Sequence, residues 1–399
     1  MMSFSANGPR VFPVPADWSD AITETLSWAT NYMQASASGV SQHCSYRSDP
    51  RRSFEFSVKC EGQQRRVVDM LLAGHGGRWL VPIWPDAQLI PARLPVGSVE
   101  IACRTNGFDF FVGGQALLWG AVNRWEVVTV TSVEAEGLSL AAATAGTWPT
   151  GTVLFPLRRA QLQDSAEESL WHDNAGIRSL TFDVLDVCQW PSLVDLPLYL
   201  GTPVLNRWAD WTDQPKASYA RLREVLDNDS AAPLTVPLAD FAFRSQSTQW
   251  KLFGREEHSW LRSLAYTLCG RSTPIWLPSY TSDLRITADL AVGAIEIPIE
   301  WAGYALFGAQ APGRRDLRIE LLDGTAIHRR ITGSVASNDV EVITLDAPLD
   351  ISVSASRVRA VQIMSLATLA SDQVEIRHAT DADGVATCTL GFASVVPHV

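Results

Sequence analysis

Ala16-Asp17-Trp18-Ser19-Asp20 returns almost unchanged as Ala209-Asp210-Trp211-Thr212-Asp213, at a shift of 193 residues. The echo continues downstream. Pro82-Ile83-Trp84 reads again as Pro274-Ile275-Trp276 at a shift of 192, and Gly97-Ser98-Val99-Glu100-Ile101 as Gly293-Ala294-Ile295-Glu296-Ile297 at 196. Ala160-Gln161-Leu162 faces Ala367-Thr368-Leu369 at 207, so the shift grows along the chain as loop insertions would make it. Solenoid and propeller units run roughly 20–50 residues, far less than this period. The 399 residues therefore read as one domain-sized unit written twice. Whatever both copies keep is expected to be structural, because a catalytic site rarely needs duplication.

Within one unit, Ser53-Phe54-Glu55-Phe56-Ser57-Val58-Lys59-Cys60 alternates without a break, which predicts a half-buried strand. Gly62 then opens a stretch in which Val67, Val68, Leu71 and Leu72 recur at helical spacing up to Gly74, predicting a helix over 63–73. The second copy repeats the element as a helix over 256–269, with Gly254 before it and Gly270 after it. From 97 to 157 and from 293 to 362 the text changes to short alternating runs with frequent turns, among them 108–112. Such spacing predicts a small barrel or sandwich. Strand alternation resumes at Leu180, Phe182 and Val184, matched by Cys388, Leu390 and Phe392. Residues 22–33 read as a strand rather than a helix, through Leu26, Trp28 and Tyr32.

The expected fold is thus mainly β: two tandem β-sandwiches carrying one helix each, each with an inserted small β-barrel. The first repeat spans 1–195 with its barrel at about 97–157, and the second spans 205–399 with its barrel at about 293–362. Residues 196–204 join them through Pro197, Gly201 and Pro203.

The chain carries a net charge of −11, with 29 arginines against only Lys59, Lys216 and Lys251. The arginines are dispersed, whereas a nucleic-acid groove needs a clustered basic stripe. Ion pairs and solvated faces are the expectation, and no sequence-specific nucleic-acid partner follows. The six cysteines are scattered, without a C-x-x-C, and read as reduced thiols. No apolar run reaches the roughly 18 residues that a spanning helix needs, so no membrane insertion is expected.

No catalytic signature, cofactor fingerprint or metal-ligand spacing appears among the seven histidines and the glycine-rich turns. The best acidic candidates are Asp17 and Asp20 with their twins Asp210 and Asp213, each pair flanking Trp18 or Trp211. A carboxylate pair beside tryptophan is what a glycosidase cleft uses. The competing reading makes the aspartates turn caps beside a core tryptophan. Asp381-Ala382-Asp383-Gly384 matches part of a calcium loop but has Ala379 and Leu390 where ligands belong, and reads as a hairpin turn. Fifteen tryptophans suit a core, an interface or sugar stacking.

Pro15-Ala16-Asp17-Trp18, Asp49-Pro50-Arg51-Arg52-Ser53-Phe54 and Val81-Pro82-Ile83-Trp84 follow one another in an order that resembles tail proteins of long non-contractile-tailed bacteriophages. The second copy's Gly254-Arg255-Glu256-Glu257, Leu268 to Arg271 and Ile275-Trp276-Leu277-Pro278 resemble the same group. The resemblance implies a non-enzymatic virion subunit similar to distal tail or baseplate proteins. Such a subunit would be assembled in the host cytoplasm into a homo-oligomeric ring, often a hexamer, that joins the tail tube to the tip hub and fibres. It brings no catalytic residues, cofactor or metal. Pro82, Trp84, Pro274 and Trp276 join the Asp-Trp elements as the signatures of the repeat. A carbohydrate-binding module for a host receptor and a glycan hydrolase stay open as alternatives.

Overall fold

A computed structural model describes residues 9–34, 40–163, 167–193, 195–212, 214–229, 232–337, 339–380 and 384–395. The protein is mainly β, dominated by one large antiparallel sheet. In the first half the Arg51–Glu61 strand lies between Ile22–Ser27 and Ala175–Val184. Its alternation buries Phe54, Phe56, Val58 and Cys60 on one face, as the sequence requires. In the second half the Leu234–Phe253 strand lies between Lys216–Leu226 and Val385–Ser394. Helix α1 (Gly62–Ala73) follows the first of these central strands directly, and helix α2 (Gly254–Leu268) follows the second. Both begin on a left-handed glycine, φ +56° at Gly62 and +74° at Gly254, a turn that L side chains adopt only under strain.

The apolar residues gather in four main clusters. Phe12, Phe56, Trp79, Phe182 and their neighbours fill the first half. Trp250, Leu261, Leu264 and Phe392 fill the second. Between Gln88–Leu89 and Val153–Leu162, the strands Glu100–Ala102, Gln115–Ala121, Arg124–Glu134 and Gly137–Leu140 enclose their own core of Ile101, Leu118, Val130 and Trp148. Glu296–Glu300, Asp316–Leu321, Ala326–Ser337 and Val340–Leu345 do the same around Ile297, Ile319 and Ile343.

The two halves share backbone. The Ile22–Ser27 strand pairs with Arg51–Glu61 on one side and with Gln373–His378 of the second half on the other. Its Leu26, with Trp28 just beyond, packs into the second-half core rather than the first. The expected connector is docked too. It forms a tight hairpin of Leu198–Tyr199 with Thr202–Pro203, and Val204 pairs in parallel with Trp276. Val11 pairs in parallel with Leu80 in the same way.

Residues 22–33 are two strands, Ile22–Ser27 and Thr30–Gln34, the latter turning back through Ser41–Ser45. Two expectations need correction. Residues 108–112 are not a strand, because Gly107 at φ +76° turns the chain and Asp109 points into a buried cluster of arginines. The alignment through Pro82 and Pro274 is also off by four. Pro82 faces Leu157 and Pro278 faces Met364, so strand register matches Pro82 with Pro278. The offset of four arises because α2 is three residues longer than α1 and the segment from helix to strand is one residue longer. Accordingly Trp84 sits in a short 3-10 turn after its strand while Trp276 lies within one, although both are buried.

Candidate functional site

The feature richest in charge is the seam between the halves. Along Ile22–Ser27 the inward positions are Ile22, Glu24 and Leu26, which places a carboxylate in the apolar phase of the strand. Glu24 is fully buried. It accepts hydrogen bonds from Arg52 Nε at 2.8 Å, Arg262 Nη2 at 2.9 Å and His378 Nε2 at 2.9 Å. Because an ionised carboxylate only accepts, His378 must carry its proton on Nε2.

Arg52 reaches from Glu24 to Asp109, 2.5 Å away, and Arg158 grips the same carboxylate through both Nε and Nη2. The Asp109 backbone N–H donates to Asp86 at 2.8 Å. Asp86 lies 3.0 Å from Arg255 and 3.8 Å from Arg262, both supplied by α2. Each guanidinium also covers an aromatic face: Arg52 on Phe54, Arg158 on Phe111, Arg255 on Phe108 and Arg262 on Trp190, at 4.0–4.6 Å. Gly107 is required here twice over, since a Cβ would also meet the Arg255 Cδ at 3.0 Å.

Burial alone would raise the Glu24 carboxyl, but Arg262, Arg52 and His378 overcome it and hold the group well below its usual range. Asp109 is likewise opposed by burial and brought down to about 2 by Arg52 and Arg158. Carboxylates so held stay ionised and fully occupied at neutral pH. Chemically the cluster is a clamp that fixes the Ile22–Ser27 strand, the turn at 107–111, α2 and the Gln373–His378 strand against one another.

His258 stands next to His378, ring centroids 5.7 Å apart, and burial with the neighbouring His378, Arg255 and Arg262 lowers it to about 4. A histidine depressed in the folded state takes up its proton more readily when unfolded. Its stabilising contribution is present above pH ~6.5 and is lost as pH falls towards 4. Denaturation followed between pH 7.5 and pH 4 should show a loss on the order of 3 kcal/mol from this residue, removed in His258→Phe. A stability profile that is flat over that window would contradict it.

The Asp-Trp elements lie elsewhere and are turns. Asp17 accepts from the Ser19 N–H and hydroxyl at 3.0 and 2.8 Å, and Asp210 accepts from the same two groups of Thr212 at 2.9 and 2.7 Å. Asp17 N–H donates to Ser57 O and Asp210 N–H to Gln249 O, tying each turn to its central strand. Asp20 is exposed, and Asp213 lies outside the described residues. Trp18 packs against the first-half core while Trp211 is exposed. Residues 381–383 of the Asp-Gly turn are also outside the described residues, between strands Gln373–His378 and Val385–Ser394.

Glu24, Asp86 and Asp109 are absent from the sequence candidates. The available signal was an acidic residue in phase with Ile22 and Leu26. Among the described residues, no three His, Cys, Asp or Glu side chains are grouped to hold a metal, and no helix is long and apolar enough to cross a membrane. None of the six cysteines is in a disulfide. No protein-family model matches the chain, and no curated protein matches it.

Proposed function

We propose that the chain is two tandem copies of a β-sandwich bearing one helix and one inserted small β-barrel, and that it serves as a non-enzymatic structural subunit of a phage tail tip. One observation carries the reading: the halves have common strand registers and associate head to tail through a shared sheet. Thr23 faces Glu55 as Lys216 faces Ser247, and Phe54 faces Phe182 as Gln246 faces Phe392, at constant shifts of 193, 192 and 210. A unit that joins its own copy through two different surfaces makes a heterologous contact, and repetition of that contact gives a ring when its rotation closes and an open filament when it does not; the tail-tip reading takes the closed form.

The resemblance to distal tail and baseplate proteins supplies the rest of the proposal. The subunit would join the tail tube to the tip hub and fibres, in the virion, after assembly in the host cytoplasm. With two units per chain, a ring of six units takes three chains. Negative-stain electron microscopy of the purified chain is expected to give closed annular particles. Monodisperse single chains at high concentration would contradict the reading.

A further inference from the structure

The seam inside the chain joins the first half's Ile22–Ser27 edge to the second half's Gln373–His378 edge, and each of these strands has a counterpart in the other half. The counterparts are unpaired on one side. Among the described residues, Lys216–Leu226 pairs only with Leu234–Phe253, and Glu168–His172 pairs only with Ala175–Val184. Helix α1 differs from α2 in the same sense. It buries only Val68, whereas α2 buries Arg255, His258 and Arg262 in the seam. Met70, at the α1 position matching Arg262, is 75% exposed.

Three residues form the heart of the internal seam, with Glu24 accepting from Arg262 and His378. Strand and helix registers place Ala217, Met70 and Leu170 at the three corresponding positions. A polar triad in one seam, with Glu24 and Arg262 charged and the His378 imidazole pushed down by burial, thus corresponds to a wholly apolar triad on the free surfaces. All three are exposed, Leu170 at 56%. Isolated replacement would leave a buried charge without its partner, whereas joint replacement conserves a packed contact. An apolar residue at all three positions together is what a packed second seam there requires.

The remaining surface agrees. Arg244 holds the register position of Arg52, and beside it a groove of about 700 Å³, lined also by Tyr219, Tyr304, Phe307 and Arg314, lies open. Its first-half counterpart is the place where α2 inserts Arg255 and Arg262 against Asp86, which also accepts from the Asp109 N–H. The Lys216–Leu226 strand is exposed along nearly its whole length, including Tyr219, Val225 and Leu226. A two-stranded ribbon with apolar residues and no covering layer is marginal in water, so it calls for a partner.

We infer that a second copy of this chain occupies these surfaces: Lys216–Leu226 of one copy adds to the Glu168–His172 edge of the next, and α1 of that next copy enters the groove beside Arg244. The inference rests on the ring reading above. Transfer of the internal register puts Lys216 opposite Ser169 and Ala217 opposite Glu168 of the neighbouring copy. Ala217, Leu170 and Met70 then close over one another as Glu24, His378 and Arg262 do within the chain.

The full-length Lys216→Cys/Ser169→Cys variant, oxidised mildly and read by non-reducing electrophoresis and peptide mass spectrometry, tests this. A 216–169 disulfide between chains is expected, with none in a Val225→Cys/Ser169→Cys control nine residues out of register. Met70→Arg, on an exposed helix face, is expected to weaken assembly at least tenfold without moving the melting temperature of the single chain at dilution. Adding Ala217→Glu and Leu170→His should restore assembly by recreating the Glu–Arg ion pair and its histidine hydrogen bond. Closed rings in which 216 and 169 do not link, or in which Met70→Arg changes nothing, overturn the seam while leaving the ring reading intact. Chains that stay single and unlinked overturn both.

Discussion

Arg52→Met should lower the free energy of unfolding by about 3–5 kcal/mol, the usual result of removing one partner from a buried ion pair. The size of the effect follows from position. Among the described residues Arg52 is the one guanidinium that bonds both Glu24 and Asp109, at 2.8 and 2.5 Å, and all three side chains are almost wholly withdrawn from water. Methionine fills a similar volume but supplies no donor, so two ionised carboxylates would each lose a charged partner in a low-dielectric site. A matched change at an exposed pair separates charge from location. Arg285→Met, whose partner Glu300 lies 3.4 Å away in solvent, should cost about 0–1 kcal/mol. Chemical denaturation of both variants measures the difference. Equal, small losses would mean that the cluster is penetrated by water and does not clamp the halves.

The second large effect is Glu24→Ala, again about 3–5 kcal/mol, because it strands Arg262 and His378 in the seam. The triple variant Glu24→Ala/Arg262→Met/His378→Leu tests what the charges are for. It gives the internal seam the same residue types that Ala217, Met70 and Leu170 place on the free surfaces. Each remaining charge keeps a partner, Arg52 and Arg158 on Asp109 and Arg255 beside Asp86. Replacing a buried ionic group as a whole by apolar residues is often neutral or stabilising. The triple should therefore recover to within about 1–2 kcal/mol of the parent, far above the single variant. A triple as unstable as Glu24→Ala alone would show that the charged groups themselves, rather than a filled seam, hold the halves.

Much of the fold is legible because it rests on periodicity. The alternation at 53–60 and the stripes of both helices are written in adjacent residues, and the structure forms Arg51–Glu61, α1 and α2 over nearly the same spans. The Asp-Trp turns are legible for the same reason, since Asp17 with Ser19 and Asp210 with Thr212 bond across two residues. The seam is not. Glu24 meets Arg262 across 238 positions and His378 across 354, and nothing local distinguishes Arg52, Arg158, Arg255 and Arg262 from the other arginines. Dispersed ion pairs were the expectation, and pairs such as Arg159–Asp186, Arg285–Glu300 and Arg329–Asp350 are of that kind, yet these four arginines converge where the halves meet. Residues 108–112 look like a strand because Phe108, Phe110 and Val112 alternate. Those aromatics instead floor the cluster, where Phe108 lies beneath Arg255 and Phe111 beneath Arg158. Pro274 was matched to Pro82 because short words align without regard to helix length, whereas strand register counts residues through the hydrogen bonds.

The central claim is that this chain builds a closed ring from repeated head-to-tail contacts, and its mass in solution tests that most directly. Native mass spectrometry of the full chain, 43.7 kDa, should give a single closed species of fixed copy number, three or six chains, without an open series of larger assemblies. A chain that remains single at every concentration, or a ladder that never closes, would contradict the account.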